Sequence, residues 1–552
     1  MEEPISYGNL LKIKGCFNGI TVNENAVDAN GDKKESKASN NDHFETDRSR
    51  VLFSPFFRAL QQKTQVFPLE MDRTVRTRLI HSLEVLNTGG RLARRIARDE
   101  RAKENGLKGP MNRENFVCVV KNACLIHDIG NPPFGHFGET AIKRWFMNKC
   151  DAHAIHAELI LPEEKEKKLT KEEERARARE EKEEYELRKK DFTYFDGNQQ
   201  GIRVVMKLKP SKYGDRMNLT YQTILSAIKC PRSCRCAGNN KSKGRDDKAG
   251  YFCTEETDIQ KMLDCFEFKP NKRFPLSYIM EAADDISYCM SDIDDGLKKG
   301  IISHKEFVKE IRAEWKKVRD NLSELDENVP EEFPAEVFPL PDVTENGVKP
   351  WKRYDFGREI ALRWTDILIQ KVAEEYWEAD VQKSIREGNY TELIRKESLC
   401  GVVLNTLKNI ARRKLYLASE IVNLELSGLE IISGLLNHFC MLLKLNSVAF
   451  MNIVLQRDEP GVERRIYAII DSRFREGYKR EILEKAKDVG CSINQEDMKA
   501  PIMNEKFEEC INKVSFLDEW FLRAHMIVDH ITAMTDDYAL MQFNYFKGII
   551  TV

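Results

Sequence analysis

Residues Leu125–Glu139 read Leu-Ile-His-Asp-Ile-Gly-Asn-Pro-Pro-Phe-Gly-His-Phe-Gly-Glu and decide the fold, because they end a helix and concentrate polar chemistry beside it. The apolar residues before them recur at helical spacing and predict a helix over about 116–128, which the Asn-Pro-Pro turn stops. His127 and Asp128 close this apolar pattern, so at least one costly polar group lies near buried surface and needs a partner. A metal ion would be such a partner.

The composition indicates a soluble protein with room for a large core. The chain has 552 residues, a formal net charge of -2 and 32% charged residues, so overall charge does not argue for nucleic-acid binding. We find no apolar run of about 18 residues and no signal peptide in residues 1–9. These features predict a cytoplasmic protein that does not associate with membranes.

Fourteen cysteines are scattered along the chain without framework spacing, which favours reduced thiols over disulfides. Cys230, Cys234 and Cys236 form one cluster, with Cys253 further on. A structural zinc is one interpretation of this cluster. However, the C-x3-C-x-C spacing is a poor match to the usual C-x2-C pairs, so we favour free thiols.

Recurrent helical spacing and little strand-like alternation predict an all-α fold. An arm rich in Asn, Asp, Lys and Ser is expected to be mobile over residues 1–46, before a catalytic core over 47–325. Within that core, about 162–191 form a charged surface excursion. A Pro- and Glu-rich linker at 326–350 then leads to a C-terminal helical region, 351–552, expected to serve oligomerisation and to complete the pocket.

A strongly amphipathic helix is predicted from Pro275 onward, and it carries Asp284, Tyr288 and Asp292 at positions i, i+4 and i+8. Four residues advance only about 40° around a helix, so the three side chains share one face and can line one cavity. Two like charges beside an apolar stripe are costly unless a cation or hydrogen-bond donors meet them. An exposed acidic ridge is the alternative interpretation.

Two basic or ionisable residues also have two interpretations. His81 lies among apolar positions of a helix predicted over about 77–100, where it is either a core residue or a ligand. Lys229 falls near the C-terminus of a short helix, where it either complements the helix dipole or binds a ligand.

Together, His81, His127, Asp128 and Asp284 supply two imidazoles and two carboxylates. This set suits a divalent ion such as Mn²⁺, Fe²⁺, Ni²⁺, Co²⁺ or Mg²⁺ better than a structural zinc. Such an ion can polarise a phosphoryl oxygen and help deliver a water nucleophile. His136 and Glu139 follow within the opening stretch and form a candidate proton relay.

Four motifs resemble those of one family: 61–68 (QQKTQVFP), 76–85 (RTRLIHSLEV), 127–139 (HDIGNPPFGHFGE) and 281–288 (EAADDISY). The order His81, then His127-Asp128, then Asp284 on helices resembles the HD metal-dependent phosphohydrolase superfamily. Within it, the sequence resembles the bacterial deoxyguanosine triphosphate triphosphohydrolases over nearly the whole chain.

The resemblance implies an HD-type helical core that hydrolyses dGTP at the α-phosphorus to deoxyguanosine and inorganic triphosphate. It implies one divalent metal, Mn²⁺ first among the ions named, on His81, His127, Asp128 and Asp284, with His136 and Glu139 as catalytic residues. The implied substrate-binding residues are Gln65, Arg78, Asn198, Lys229, Tyr288, Asp292 and Arg465. Arg78 and Lys229 would hold the polyphosphate, and Arg465 would act across a subunit boundary. The implied partners are a dNTP, further copies of the chain in a homo-oligomer such as a hexamer, and single-stranded DNA.

The sequence departs from the family pattern at two places. Lys229 is followed by Cys230 where the family has tyrosine, and Phe195-Asp-Gly-Asn198 replaces Phe-Glu-Gly-Asn. Two alternatives remain at this point. One is an HD-type triphosphohydrolase with broad or allosterically gated dNTP specificity, and the other is a non-catalytic nucleotide sensor or single-strand DNA-binding protein on the same fold.

Overall fold

Helices account for the regular structure in the described part of the chain. The computed structural model describes residues 6–15, 40–70, 72, 74–149, 171–208, 216–238, 248–340, 350–389, 391–457, 461–494, 496–498 and 502–549. Within these ranges the protein has 23 α-helices and no strand, and two isolated bridges join Thr64 to Thr77 and Ser233 to Tyr251. The predicted all-α class is therefore confirmed.

The helices are numbered α1 to α23 in chain order. The first thirteen are α1 (Tyr7–Leu10), α2 (Asn40–Leu52), α3 (Pro55–Ala59), α4 (Arg78–Arg98), α5 (Glu100–Glu104), α6 (Gly109–Ile126), α7 (Gly135–Asn148), α8 (Lys171–Thr193), α9 (Gly197–Met206), α10 (Tyr221–Ala227), α11 (Glu256–Asp264), α12 (Ser277–Lys298) and α13 (His304–Asp320). The remaining ten are α14 (Pro350–Glu375), α15 (Ala379–Glu387), α16 (Leu399–Ile410), α17 (Ser419–Leu443), α18 (Ser447–Val454), α19 (Val462–Ile469), α20 (Ser472–Asp488), α21 (Asn504–Ile511), α22 (Phe516–Thr532) and α23 (Asp536–Phe546). A π-helical turn, Ala411–Leu415, directly follows α16.

Three of these helices, α4, α6 and α12, pack against one another and position the site. Gly89 on α4 permits the close approach, because a Cβ there would lie 2.5 Å from Cys124 Sγ on α6 and 3.3 Å from Ala283 Cβ on α12. Thr77 caps α4 by accepting a hydrogen bond from the Ile80 N–H, which fixes where the helix begins.

The observed bounds of these helices differ slightly from the predicted ones. The helix predicted over about 77–100 is present as α4. The helix predicted over about 116–128 begins earlier, at Gly109, because Pro110 is favourable in a first helical turn. The helix predicted from Pro275 begins two residues later, at Ser277.

The C-terminal region packs directly on the predicted core. Helix α14 contacts α4 and α12, and α17 contacts α7. Residues 326–340 of the predicted linker are packed as well, because Val329, Phe333 and Phe338 are buried among the helices. The linker prediction is therefore wrong for these residues, while 341–349 lie outside the described part.

The predicted mobile arm over 1–46 also differs from the structure where the structure describes it. Residues 6–15 are packed, and the hydroxyls of Tyr7 and Tyr376 lie 2.6 Å apart in a buried hydrogen bond. Composition alone missed this, because one aromatic anchor outweighs the polar character of its neighbours. Helix α2 also begins inside the predicted arm, and residues 16–39 lie outside the described part.

The charged excursion predicted over 162–191 is only partly surface-like. Its first part, to residue 170, falls outside the described residues. In α8, Tyr185 is buried and Arg188 forms an ion pair with Asp518 of α22. The second half of α8 is therefore packed onto the C-terminal region.

Helix α17 is the one described helix that is long and apolar enough to match a membrane span, with a mean hydropathy of 1.5 over its best window. Half of that window is buried, and the helix carries Glu420, Glu425 and Glu430. It packs against α7, α22 and α23. These contacts identify it as a core helix of the fold.

Candidate active site

Three of the four predicted metal ligands meet where α4, α6 and α12 converge. Asp284 Oδ1 lies 3.1 Å from His81 Nε2 and 3.4 Å from His127 Nε2. Each of the three residues offers one donor atom, and these atoms lie within 4.8 Å of one another. Among the described residues, this is the one group of three or more such side chains with the spacing of a metal site. His81 is therefore not an isolated core histidine.

The tautomer of His127 suits a ligand. Its Nδ1 lies 2.7 Å from the Cys124 carbonyl oxygen, which can only accept, so Nδ1 carries the proton. The lone pair of the neutral ring is then on Nε2, which is buried and makes no hydrogen bond within the described residues. An imidazole oriented by a backbone carbonyl in this way is typical of metal sites. The residues present thus fit a divalent metal.

Asp128, the fourth predicted ligand, lies beside this group. Its Oδ1 is 4.0 Å from His127 Nε2 and accepts a hydrogen bond from the Asn131 amide, while its Oδ2 accepts one from Arg78 Nη1 at 2.8 Å. Burial alone would raise the pKa of Asp128, but the Arg78 guanidinium and the neighbouring histidines hold it at about 2. Asp128 is therefore an anion at neutral pH.

Lys229 lies just beyond the C-terminus of α10, and its side chain contacts Asp284 of the His-His-Asp group. Its Nζ donates to Asp284 Oδ2 at 2.6 Å. Burial alone would raise the pKa of Asp284, but the Lys229 ammonium and His127 hold it well below its usual range. Each of the two carboxylates predicted to bind the metal thus has one cationic neighbour, Arg78 for Asp128 and Lys229 for Asp284.

His136 and Glu139 form a hydrogen-bonded pair at the start of α7. His136 Nδ1 lies 3.1 Å from Glu139 Oε2, and the Gly197 N–H donates to Glu139 Oε1 at 2.9 Å. Because a carboxylate accepts, Nδ1 is the donor, and its bond to the Glu139 anion raises the pKa of His136. Glu139 is buried, whereas the His136 side chain is 86% exposed and open to an approaching ligand.

Helix α12 presents Asp284, Tyr288 and Asp292 as its spacing predicted. Asp292 is buried, so the alternative of an exposed acidic ridge is wrong for this residue. The Tyr416 hydroxyl donates to Asp292 Oδ2 and is hydrogen-bonded to the Tyr288 hydroxyl. Tyr416 follows the π turn Ala411–Leu415, and no local sequence pattern indicated that it joins this group.

The structure places the other predicted substrate-binding residues in different settings. Gln65 is half-buried, and its Oε1 has no hydrogen-bond partner in the described part of the chain. Asn198 lies in the first turn of α9, where its side chain donates to Asp196, the N-cap residue. The aspartate that replaces the family glutamate thus caps a helix. Arg465 is exposed on α19.

Two residues whose role here was not predicted from the sequence hold the Asn-Pro-Pro-Phe turn between the predicted ligands and His136. Lys63 is buried, and its Nζ donates to the carbonyl oxygens of Asn131 and Thr532, each at 2.6 Å. Asp536 Oδ1 accepts from the Phe134 N–H at 3.0 Å. Phe134 has a left-handed conformation, with φ of 61°, which costs on the order of 1–3 kcal/mol unless its surroundings hold it.

The sequence also did not predict a further carboxylate, that of Glu425, close to the His136–Glu139 pair. Burial raises the pKa of Glu425 on α17 to about 7, and the charge of His136 opposes that shift. The C-terminal region therefore contributes Tyr416, Glu425 and Asp536 to the surroundings of the site. Long-range packing brings them there, and their own neighbours in sequence carried no signal.

The cysteine cluster does not form a metal group among the described residues. Cys230 and Cys234 are buried, Cys236 is exposed and Cys253 is half-buried, and none of the four forms a disulfide within the described residues.

The helical fold and the His-His-Asp group define an HD-domain protein, since residues 78–225 match the family model described as HD domain. HD-domain proteins depend on a divalent metal, and the chain shares this dependence. The chain is 32% identical over 521 residues to a deoxyguanosinetriphosphate triphosphohydrolase of Klebsiella pneumoniae subsp. pneumoniae, covering 92% of this chain and 94% of that protein. It is 33% identical over 528 residues to the protein of that name from Salmonella typhimurium, with the same coverage.

The chain therefore belongs to the deoxyguanosinetriphosphate triphosphohydrolase family, and it is an enzyme of the hydrolase class. The resemblance drawn from the four sequence motifs is confirmed at the level of the family. The residues that match the HD domain end at 225, so Asp284 and the C-terminal contributors lie beyond that segment.

Proposed function

We propose that the protein hydrolyses dGTP and water to deoxyguanosine and inorganic triphosphate. The observation that carries this proposal is the His-His-Asp group, together with the exposed His136 and its Glu139 partner, which lie within electrostatic reach of Arg78, the partner of Asp128. The choice of dGTP as the substrate follows from the names of the two relatives described above. A single cleavage between the α-phosphorus and the 5′-oxygen accounts for both products.

In this proposal His81, His127, Asp128 and Asp284 hold one divalent ion, with Mn²⁺ as the preferred metal. When bound, the ion polarises a phosphoryl oxygen and lowers the pKa of water near it. The donor set supports this assignment, because mixed imidazole and carboxylate ligands suit Mn²⁺. The short approach of both imidazoles to Asp284 Oδ1 supports a common ligand position.

His136 and Glu139 are the proposed proton-transfer residues. Glu139 fixes the ring of His136 through Nδ1, so Nε2 is the atom that can exchange a proton with water or with the departing 5′-oxygen. The Gly197 N–H in turn fixes Glu139. A proton moved by His136 would balance the reaction, because the nucleoside leaves with a 5′-hydroxyl.

Arg78 and Lys229 are the proposed polyphosphate contacts. Both already neutralise a ligand carboxylate, so their charges border the space that the triphosphate would occupy. Gln65, Tyr288 and Asp292 are the proposed surroundings of the deoxyribose, with Asp292 accepting from the 3′-hydroxyl. Oε1 of Gln65 has no hydrogen-bond partner among the described residues, which supports a ligand contact at that residue.

Three further assignments complete the proposal. Asn198 is kept as a substrate contact, and Arg465, exposed on α19, as a contact to a nucleotide in a neighbouring copy of a homo-oligomer. Single-stranded DNA is proposed as a partner. The cytoplasm is the proposed location.

The decisive experiment incubates Mn²⁺-loaded protein with each of the four dNTPs and separates the products by anion-exchange chromatography. We expect dGTP to yield deoxyguanosine and triphosphate, and in H₂¹⁸O the label should enter triphosphate, because water attacks phosphorus. Pyrophosphate and dGMP as products would contradict the proposal. Equal turnover of all four dNTPs would replace it with the broad-specificity alternative.

His136→Ala tests the proton relay separately. We expect a fall in kcat of about 100-fold or more, the lower end of what general acid–base catalysis contributes. Full turnover in this variant would remove His136 from the mechanism. His438→Ala, which changes a histidine stacked on Phe546, is the matched control and should retain activity.

A further inference from the structure

The Tyr416 hydroxyl lies between Tyr288 and Asp292, hydrogen-bonded to both. We propose that this phenol occupies the hydrogen-bond position that the sugar 3′-hydroxyl takes on binding, so that Tyr416 determines how strongly the enzyme selects a 3′-hydroxylated nucleotide. The proposal rests on the proposed function, because it takes Asp292 as the acceptor for the deoxyribose. It assigns a role to a residue that the sequence motifs do not include.

The buried environment of Asp292 creates a need for a hydrogen-bond donor. Its carboxyl group is 1% exposed, and Oδ1 makes no hydrogen bond within the described residues. Burial raises the pKa of Asp292 to about 7, although hydrogen bonds from Tyr416 and, more weakly, from Tyr288 oppose this shift. A carboxyl group so deeply buried is costly without a hydrogen-bond donor. Tyr416 therefore meets a requirement of the free enzyme.

The same requirement can be met by a sugar hydroxyl. In this proposal the 3′-hydroxyl donates to Oδ2 of Asp292, the oxygen that Tyr416 bonds in the free enzyme, so one O–H donor replaces another and this oxygen remains paired throughout binding. A 2′,3′-dideoxynucleotide has no such donor and would leave the Tyr416 bond in place. Selection for the 3′-hydroxyl is then a difference between two hydrogen-bonded states of Asp292.

Tyr416 is placed where it can give way. It is half-buried, it directly follows the π turn Ala411–Leu415, and the next residue, Leu417, is 71% exposed. π turns are frequent at functional sites. Tyr288, by contrast, lies in the middle of α12, where the helix backbone fixes its position.

The test compares Tyr416→Phe with the wild type, using Mn²⁺-loaded protein and the pair dGTP and 2′,3′-dideoxy-GTP. Removing the competing phenol should lower KM for dGTP by about 5-fold, the equivalent of 1 kcal/mol at the low end of the cost of an unpaired acceptor. The KM for dideoxy-GTP should change by less than about 2-fold, because Asp292 then gains no partner on binding. A higher KM for dGTP, or equal changes for the two nucleotides, would overturn the proposal.

Two further measurements distinguish a failure of this proposal from a failure of the proposed function. Tyr545→Phe, on the half-exposed side of α23, is the matched control and should leave both KM values unchanged. If wild-type protein releases no triphosphate, the proposed function fails, and thermal shifts with dGTP and dideoxy-GTP still report binding.

A fluorine label on Tyr416 reports the change at this residue directly and keeps its hydroxyl group. With 3-fluorotyrosine at position 416, the ¹⁹F resonance should move when dGTP binds and move less with dideoxy-GTP. Identical movement with the two nucleotides would contradict the proposal even if Tyr416→Phe failed to fold.

Discussion

Asp536 and Phe134 are 402 positions apart in the sequence, yet the Asp536 carboxylate accepts the Phe134 N–H at 3.0 Å. The other oxygen of the same carboxylate accepts from the N–H and hydroxyl of Thr64, at 3.1 and 2.7 Å. One buried side chain thus holds the left-handed residue that directs the chain from the ligands to His136. The position of the proposed relay depends on the beginning of α23.

Replacing Asp536 by alanine should therefore impair turnover more than metal binding. Three hydrogen bonds are lost around a buried turn, at about 1–3 kcal/mol for each group left unpaired, and the turn can then leave its left-handed conformation. We expect a large fall in kcat together with a lower melting temperature, while Mn²⁺ still binds. The exposed neighbour offers the control, since Asp537→Ala should change neither. Retention of wild-type kcat by Asp536→Ala would show that the turn holds itself.

Gly197→Ala tests the contact between α9 and the His136–Glu139 pair. A Cβ at Gly197 would lie 2.6 Å from Asn131 Oδ1 and 3.1 Å from Glu139 Oε1, so one of these buried groups must move. Because Asn131 also bonds Asp128, the displacement should reach both the ligands and the relay, and kcat should fall. Gly201→Ala, on the same helix, meets its nearest atom at 3.5 Å and should keep full activity. Equal activity of the two variants would contradict this account.

Asp284→Asn tests the metal group without changing side-chain volume. The anionic oxygen shared by both histidines is lost, so Mn²⁺ affinity measured by calorimetry should fall by at least about 10-fold, the effect of losing even an outer-shell partner. Asp285→Asn is the control, because that carboxylate pairs with Lys408 at 2.9 Å. If both variants bound Mn²⁺ as the wild type does, Asp284 would not be a ligand.

The pH titration of His136 should reveal its partner. The Glu139 anion raises the pKa of His136 above its usual 6.5, so the charged pair stabilises the protein at lower pH and is lost as pH rises through the raised pKa. In Glu139→Gln the anion is gone, and the midpoint followed by ¹H NMR of the His136 ring should move to lower pH. A midpoint that stayed in place would mean that the two side chains do not pair in solution.

Much of this site could be predicted from the sequence, because its chemistry is concentrated in helices with regular spacing. The interval of four residues placed Asp284, Tyr288 and Asp292 on one face of α12. The short distance from His127 to His136 restricted the ligands and the relay to one turn. These predictions rest on local geometry, which sequence records directly.

The contributors from distant parts of the chain could not be predicted in this way. Tyr416 and Asp536 reach the site through packing with residues 124 and 402 positions away, and Lys63 bonds Asn131 and Thr532, 68 and 469 positions away. Helical spacing does not predict such contacts. The same reason explains why residues 6–15 were expected to be mobile, since Tyr7 finds its partners only in the folded protein. Composition describes a segment, whereas packing depends on what surrounds it.

The hydrogen bond from Phe134 of the Asn-Pro-Pro-Phe turn to Asp536 has a consequence for how the protein is synthesised. When residues 78–225 have just been synthesised, the nascent chain contains His81, His127 and Asp128. It does not yet contain Asp284 or Asp536. The turn that leads to His136 therefore gains its Asp536 hydrogen bond only after residue 536 has been synthesised. We expect the site to be completed only when α23 has packed against this turn.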